Sequence, residues 1–295
     1  MKGVSFDIEQ GEIFSLLGPN GAGKTTTISI LSTLYKPTSG DASIDGHSIT
    51  KESMQVRKLI GVVPQELALY EELTAYENLV FWGQMYGLSG KSLKSRVNEV
   101  LEQIGLVNRA KNRIKTFSGG MKRRVNIGVG LLHKPHLLFM DEPTVGIDPQ
   151  SRRAILDSVK SLNHQGMTVL YTTHYMEEAQ ELSNRVGIID NGEMIAIGTQ
   201  KELTKQVGEM KTLILHIDES EDIEKLTTAI RGVAGIIRAD VSDHTISIIV
   251  PEVEETLAPV VSKANEMGIK IRSIDIHEPN LEAVFLHLTG RALRN

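Results

Sequence analysis

The octet Gly18-Pro19-Asn20-Gly21-Ala22-Gly23-Lys24-Thr25 constrains this chain more than any other stretch. It fits G-x-x-x-x-G-K-[ST] at every fixed position. An apolar run, residues 12–17, precedes it and reads as a buried strand, while residues 25–34 read as a helix. Glycines let a backbone wrap an anion without Cβ clashes, and a helix start adds unpaired N–H groups and a positive dipole end. Lys24 then reaches the outer phosphates, and Thr25 offers a hydroxyl to a hard cation. Thr26 follows as a further contact for the same anion. A strand, a cradle and a helix in this order imply a parallel α/β sheet with its ligand at the strand ends.

A second apolar run, Leu137-Leu138-Phe139-Met140, ends in Asp141-Glu142. It reads as another buried parallel strand, whose carboxyl end is a ligand edge. Asp141 is placed to hold Mg²⁺ directly or through water, and Glu142 to polarise an attacking water. Between the two strands lies Phe117-Ser118-Gly119-Gly120-Met121, opening a helix expected over 122–132. Ser118, Gly119 and Gly120 there offer a hydroxyl and backbone N–H groups, a second anion site. The basic triplet Lys122-Arg123-Arg124 reads as a solvated helix start.

These motifs resemble those of the ABC ATPase family. The family adds a Gln after a strand, a Gly-x-Asp loop and a later His, and the chain carries Val62-Val63-Pro64-Gln65, Gly146-Ile147-Asp148-Pro149 and Thr172-Thr173-His174 in that order. Each is weak alone, but six in sequence order are specific. The resemblance covers about residues 4–207 and implies ATP and Mg²⁺ as ligands. Gln65 would sense the metal and the water, His174 would contact the γ-phosphate, and Asp148 would line a dimer seam. Ser118, Gly119 and Gly120 would face the nucleotide of a second cassette, in a homodimer or a paired cassette closed by ATP. Residues 117–124, 144–149 and 278–285 look like the ABC-2 multidrug or daunorubicin-resistance exporter subgroup. That implies an ABC-2-type membrane permease as partner and a peripheral place on the cytoplasmic face of the cell membrane. The family's opening strand, with an aromatic that stacks on adenine, has no counterpart before Val4, and Phe6 and Phe14 read as core. Weaker adenine selectivity is the expectation.

Length and composition set the remaining limits. The 295 residues suit two domains, and 40% hydrophobic with 23% charged content is ordinary for a chain with a real core. A net charge of −5 gives no basic excess for a nucleic acid. With no cysteine, disulfides and thiolate chemistry are excluded. No run approaches the roughly 18 apolar residues of a membrane span.

The expected organisation is an α/β cassette over 1–207 with a helical subdomain at about 71–134, then an accessory α+β domain over 208–295. In the helical part, Thr74 and Glu77 form a capping-box pattern, Leu93, Val97, Val100, Leu101 and Ile104 share one helical face, and Gly105 is a stop. The tail reads strand 212–217, helix 221–230, strands 236–241 and 246–250, helix 254–267, strand 269–276 and helix 281–293. That βαββαβ order is ferredoxin-like. Two other functions fit parts of the sequence. A repair or translation ATPase would show coiled-coil insertions, zinc cysteines or two cassettes, all absent here. A regulatory subunit without turnover would not need Glu142 and His174.

Overall fold

Strand β1, Ile13–Leu17, is buried along its whole length and sits inside a sheet, with a parallel neighbour on each side. It belongs to a computed structural model that describes residues 1–206, 211–218, 222–242, 244–277 and 280–289. The chain divides after Thr199 into two units. Helix α1, Lys24–Leu31, begins within the glycine-rich octet and ends three residues before the expected Leu34, which is 70% exposed. A small antiparallel pair, β2 (Ser43–Ile44) and β3 (His47–Ser48), precedes helix α2, Ser53–Leu59.

The remaining strands of the first sheet are β4 (Ile60–Val63), β5 (Leu137–Asp141), β6 (Thr168–Thr173), β7 (Arg185–Asp190) and β8 (Glu193–Gly198). Their order is β4-β5-β6-β1-β7-β8, parallel throughout except for β8, which pairs antiparallel to β7. Near-continuous burial of β1, β5 and β6 is what strands covered on both faces require.

Helices α3 (Ala75–Met85), α4 (Gly90–Gln103) and α5 (Gly119–Leu131) form the helical part between β4 and β5. The capping box of α3 is complete: Thr74 Oγ1 accepts from the Glu77 amide at 3.1 Å, and a Glu77 carboxylate oxygen accepts from the Thr74 amide at 2.8 Å. Leu93, Val97, Val100 and Leu101 of α4 are buried, and Gly105, at φ 64°, ends the helix region. A Cβ at Gly128 would lie 3.0–3.3 Å from Val100, Ile104 and Leu79, so the glycine lets α5 approach both other helices. Burying each such Leu or Val contributes roughly 1.5–3 kcal/mol relative to exposure. Helix α6, Pro149–His164, is capped by Asp148, whose side chain accepts from the Ser151 amide at 2.9 Å. Helix α7, Met176–Leu182, follows β6.

The second unit begins with helix α8, Gln200–Gln206, and so takes in residues the sequence reading assigns to the cassette. It continues β9 (Lys211–Ile217), α9 (Ile223–Ile230), β10 (Arg238–Ser242), β11 (Thr245–Val250), α10 (Val253–Glu266), β12 (Ile271–His277) and α11 (Leu281–Thr289). The sheet is antiparallel in the order β10-β11-β9-β12, the ferredoxin-like arrangement. Leu213, Leu215 and Ile217 alternate into its core with Ile246, Ile248 and Val250. The expected boundary at 207, the helix start at 221, Glu278-Pro279 and the helix end at 290–293 lie outside the described residues.

Candidate active site

Loops leave the carboxyl ends of β1, β4, β5 and β6 on one edge of the parallel sheet. The octet follows β1, Gln65 follows β4, Glu142 follows β5 and His174 follows β6. Four separated sequence motifs are thus placed at one edge by strand order alone.

Lys24 is 4% exposed, and its ammonium donates to three acceptors. These are the Gly18 carbonyl at 2.6 Å, the Pro19 carbonyl at 2.9 Å and a Glu142 carboxylate oxygen, Oε1, at 2.9 Å. A lysine has three hydrogens to give, so all are committed. Gly21 and Gly23 take φ of 80° and 109°, the left-handed turns that expose the loop's amides. Gly18 has no room for a side chain, because a Cβ would overlap the Ile189 carbonyl. Thr25 and Thr26 stand exposed at the helix start beside the buried lysine.

The other Glu142 oxygen, Oε2, lies 3.0 Å from His174 Nδ1. A carboxylate only accepts, so Nδ1 carries the proton in this pair. Lys24, Glu142 and His174 therefore form one chain of contacts, buried at Lys24 and Glu142 and partly buried at His174, drawn from the ends of three strands. Glu142 holds φ at 44°, a left-handed conformation that costs a non-glycine residue of order 1–3 kcal/mol. Its amide donates to Thr172 Oγ1 at 3.0 Å and to the Thr172 carbonyl at 3.2 Å, which fixes the turn. Asp141 is 3% exposed and accepts from Thr172 Oγ1 at 2.7 Å. One threonine on β6 thus sets both acidic residues.

Gln65, Ser118, Gly119 and Asp148 are exposed. Among the described residues the Gln65 side chain makes no hydrogen bond to Asp141, Glu142 or His174. Ser118 caps α5, accepting from the Met121 amide at 3.3 Å. Gly119 and Gly120 pack against Ile147 and Ser151 at the start of α6. Hydrogen bonds from the Ser151 amide and hydroxyl hold the Asp148 carboxyl below its usual value. Phe6 and Phe14 stack with ring centroids 5.2 Å apart, and Phe14 is fully buried. A cavity of about 530 Å³ lies beside α1, lined in part by Thr26, Thr27, Phe6 and Tyr35.

Two features escape the sequence reading. The basic triplet is not a solvated helix start: Arg123 is 5% exposed and donates to the carbonyls of Pro64 and Gln65, and Lys122 pairs with Glu71. The signal is positional, since Arg123 falls on the same helical face as buried Gly120 and Ile127. Glu178 is the second. It is 3% exposed on the apolar face of α7 and accepts from Thr144 Oγ1 at 2.6 Å, Tyr171 Oη at 2.8 Å and Thr173 Oγ1 at 3.0 Å. Burial and the Glu178 carboxylate push the Tyr171 hydroxyl well above its usual value, so it stays a donor. Glu178 thereby ties the loop after Glu142 to the strand end before His174.

Residues 1–145 match the family model described as ABC transporter. The linearmycin resistance ATP-binding protein of Bacillus subtilis is 52% identical over all of this chain and 95% of its own length. A doxorubicin resistance ATP-binding protein of Mycobacterium tuberculosis is 40% identical over 97% of this chain and 87% of its own. A Nod factor export ATP-binding protein of Cupriavidus metallidurans is 38% identical over 99% and 93%. Among solved structures, a dimeric ATP-binding cassette in a post-hydrolysis state with ADP and Pi is 31% identical. It covers 68% of this chain and 90% of its own, with a TM-score of 0.61.

Proposed function

Because the chain belongs to the family of ABC transporter ATP-binding subunits, we propose that the edge described above binds and hydrolyses ATP with the residues named there, and that the work drives export. The chain is an ATPase of the family that includes the drug-resistance relatives, and cassettes of this family dimerise. Everything more specific is our reading of this chain's own residues.

The observation that carries it is the Lys24–Glu142–His174 chain of contacts. Amides of the octet and the Lys24 ammonium receive the triphosphate, with Thr26 completing the cradle. As the phosphates arrive, Lys24 exchanges Glu142 for phosphate oxygen. Glu142, still held by His174, then orients a water against the γ-phosphorus and takes its proton as the bond to the β-phosphate oxygen breaks. ADP and phosphate leave.

The donor set at this edge suits Mg²⁺. Thr25 supplies a hydroxyl, Asp141 a carboxylate and Gln65 a carboxamide oxygen, all hard ligands. Among the described residues no three His, Asp or Glu side chains gather as a cage, which fits an ion that keeps waters and substrate phosphates. When bound, the ion neutralises charge on the phosphates.

Ser118, Gly119 and Gly120 form the second anion site, turned outward to the nucleotide of another cassette, with Asp148 at the seam. In the ATP-bound state two copies, or a paired cassette, close head to tail. An ABC-2-type permease is the membrane partner, and the chain works peripherally on the cytoplasmic face of the cell membrane. Among the described residues no helix is long and apolar enough to cross a membrane. The second unit, which carries no phosphate loop, serves assembly or regulation.

One experiment tests the reading. The segment 66–73, which joins Gln65 to the helical part, is the proposed surface for the permease, and since the chain has no cysteine, a single cysteine placed there is a unique label. In the chain co-expressed with an ABC-2-type permease, that cysteine is expected to cross-link to the permease in a nucleotide-dependent way, and ATP turnover is expected to rise with the permease present. Cross-linking only from positions on the opposite face would refute the proposed partner surface.

A further inference from the structure

Helix α5 starts with Ser118-Gly119-Gly120 and carries Lys122, Arg123 and Asn126 one to two turns later. About 7.5 Å of rigid helix separates Ser118 from Arg123. Arg123 Nη1 donates to the Pro64 carbonyl at 2.8 Å, and Nη2 donates to the Gln65 carbonyl at 2.7 Å. Asn126 Oδ1 accepts from the Ala68 amide at 3.2 Å. Lys122 pairs with Glu71 across a partly exposed contact. From α3, Trp82 Nε1 donates to the Ala68 carbonyl at 3.1 Å, and Asn78 Oδ1 accepts from the Tyr70 amide at 2.8 Å. The segment 64–71 has no strand or helix of its own. Side chains of the helical part take up its main chain in place of regular structure.

We propose that Arg123, with the Lys122–Glu71 pair in support, is a positioning residue that fixes Gln65 by its main chain to the helix bearing Ser118, so that each chain mechanically joins its own nucleotide site to the one it completes in its partner. This rests on the roles given above to Gln65 and Ser118. The planar guanidinium suits the task because it spans two successive carbonyls at once, which a lysine point charge does not reproduce. It sits on the buried face of α5, so it has no solvent to fall back on. A displacement of Gln65 by an arriving phosphate then pulls on a rigid rod whose other end is the outward anion site. Neither Arg123 nor Lys122 touches nucleotide in this scheme. Their effect is on alignment, not on affinity for the chain's own ligand.

The test uses the full chain with Arg123→Gln, Arg123→Lys, Lys122→Glu, Glu71→Lys and the Lys122→Glu/Glu71→Lys swap. ADP dissociation constants, KM and kcat for ATP, melting temperature and ATP-driven dimer formation are measured for each. Arg123→Gln is expected to leave the ADP constant within about twofold while kcat falls about tenfold or more and the dimer weakens. Arg123→Lys is expected to recover only part of kcat. Lys122→Glu and Glu71→Lys are each expected to lose about threefold, and the swap to return most of it, the signature of a direct pair. If kcat, ADP affinity and melting temperature all fall together in the Arg123 variants, the residue is only a structural anchor and the proposal is overturned. Unchanged kinetics in those variants, or a swap that restores nothing, overturns it too. Gln65→Ala separates the layers: normal turnover there removes the sensor role itself, whereas impaired turnover there with normal Arg123 variants removes only the coupling.

Discussion

The proposed nucleotide edge has two halves built on opposite principles. Lys24, Glu142 and Asp141 are buried and His174 is partly buried, and each meets a partner within the chain. Gln65, Ser118, Gly119 and Asp148 are exposed, and of these Ser118 and Asp148 serve within the chain as helix caps. The buried half is a closed electrostatic circuit that a ligand must open. The exposed half is an unfinished surface that another molecule must complete. Burial fits the residues that do chemistry, because fixed dipoles act more strongly away from water. Exposure fits Ser118, Gly119 and Asp148, which are proposed to recognise a second cassette, whereas Gln65 belongs to the chain's own site.

The largest expected effect falls on the buried half. Glu142→Gln keeps the shape but removes the base, so turnover should fall by about 10²–10⁴. Nucleotide binding should persist, and the protein should elute as an ATP-bound dimer in size-exclusion chromatography. Normal steady-state turnover would take Glu142 out of the reaction and dissolve the contrast between the halves.

The Ser118–Gly120 turn should break differently, through geometry before chemistry, and first at Gly120, its buried member. A Cβ added at Gly120 would overlap Ser151 Cβ, which belongs to a capped helix and has nowhere to go. One added at Gly119 would meet only the flexible end of Ile147, at 3.3 Å. Gly120→Ala should therefore cost about 1–3 kcal/mol, the usual penalty for overpacking. Its melting temperature should drop by several degrees while Gly119→Ala stays near the parent. Equal melting temperatures would mean that the seam between α5 and α6 is looser than described.

Ser118→Ala should act more mildly. It removes an N-cap worth about 1 kcal/mol. Melting temperature should fall slightly, ADP binding to the chain's own site should hold, and ATP-driven dimerisation should weaken. A fall in ADP affinity would place Ser118 in the same half as Lys24.

How far each half was legible follows from the same contrast. The buried half is written in contiguous motifs, because a strand end, a turn and a helix start are local structures with strict residue demands. The octet and Leu137–Glu142 needed no tertiary information. The long tail was legible for a related reason: short runs rich in Ile, Leu and Val at residues 212–217 and 246–250 read as strands, and the structure buries alternate residues of each. What escaped was side chains acting on a distant main chain. Arg123 in a run of basic residues looks like a solvated face, since nothing local reveals the carbonyls of residues 64 and 65. Glu178 likewise draws its partners from residues 144, 171 and 173, and only its place on an apolar helix face hints at burial. Strand β8 lies outside the sequence reading although Met194-Ile195-Ala196-Ile197 is an apolar run, and of its residues only Gly198 is buried. The place of α8 in the second unit was not visible either, since Gly198 beside the division is matched by glycines within the cassette.

The smallest predicted effect sharpens the comparison most. In the closed circuit, Lys24 gives one of its three hydrogens to Glu142 and has none to spare. A β-phosphate must therefore compete with a carboxylate of the same protein. Glu142→Gln removes the charge of that competitor while leaving an amide oxygen in its place. Affinity for ADP, which lacks the γ-phosphate, should rise by about fivefold, on the order of 1 kcal/mol. Titration calorimetry with ADP on the monomer isolates this effect from dimerisation. His174→Ala serves as the control: it takes away the neighbour of Glu142 but leaves the ion pair, so ADP affinity should not rise. If Glu142→Gln binds ADP no more tightly than the parent, Lys24 is not restrained by Glu142 in the empty site, and the buried half is a cradle already open to its ligand.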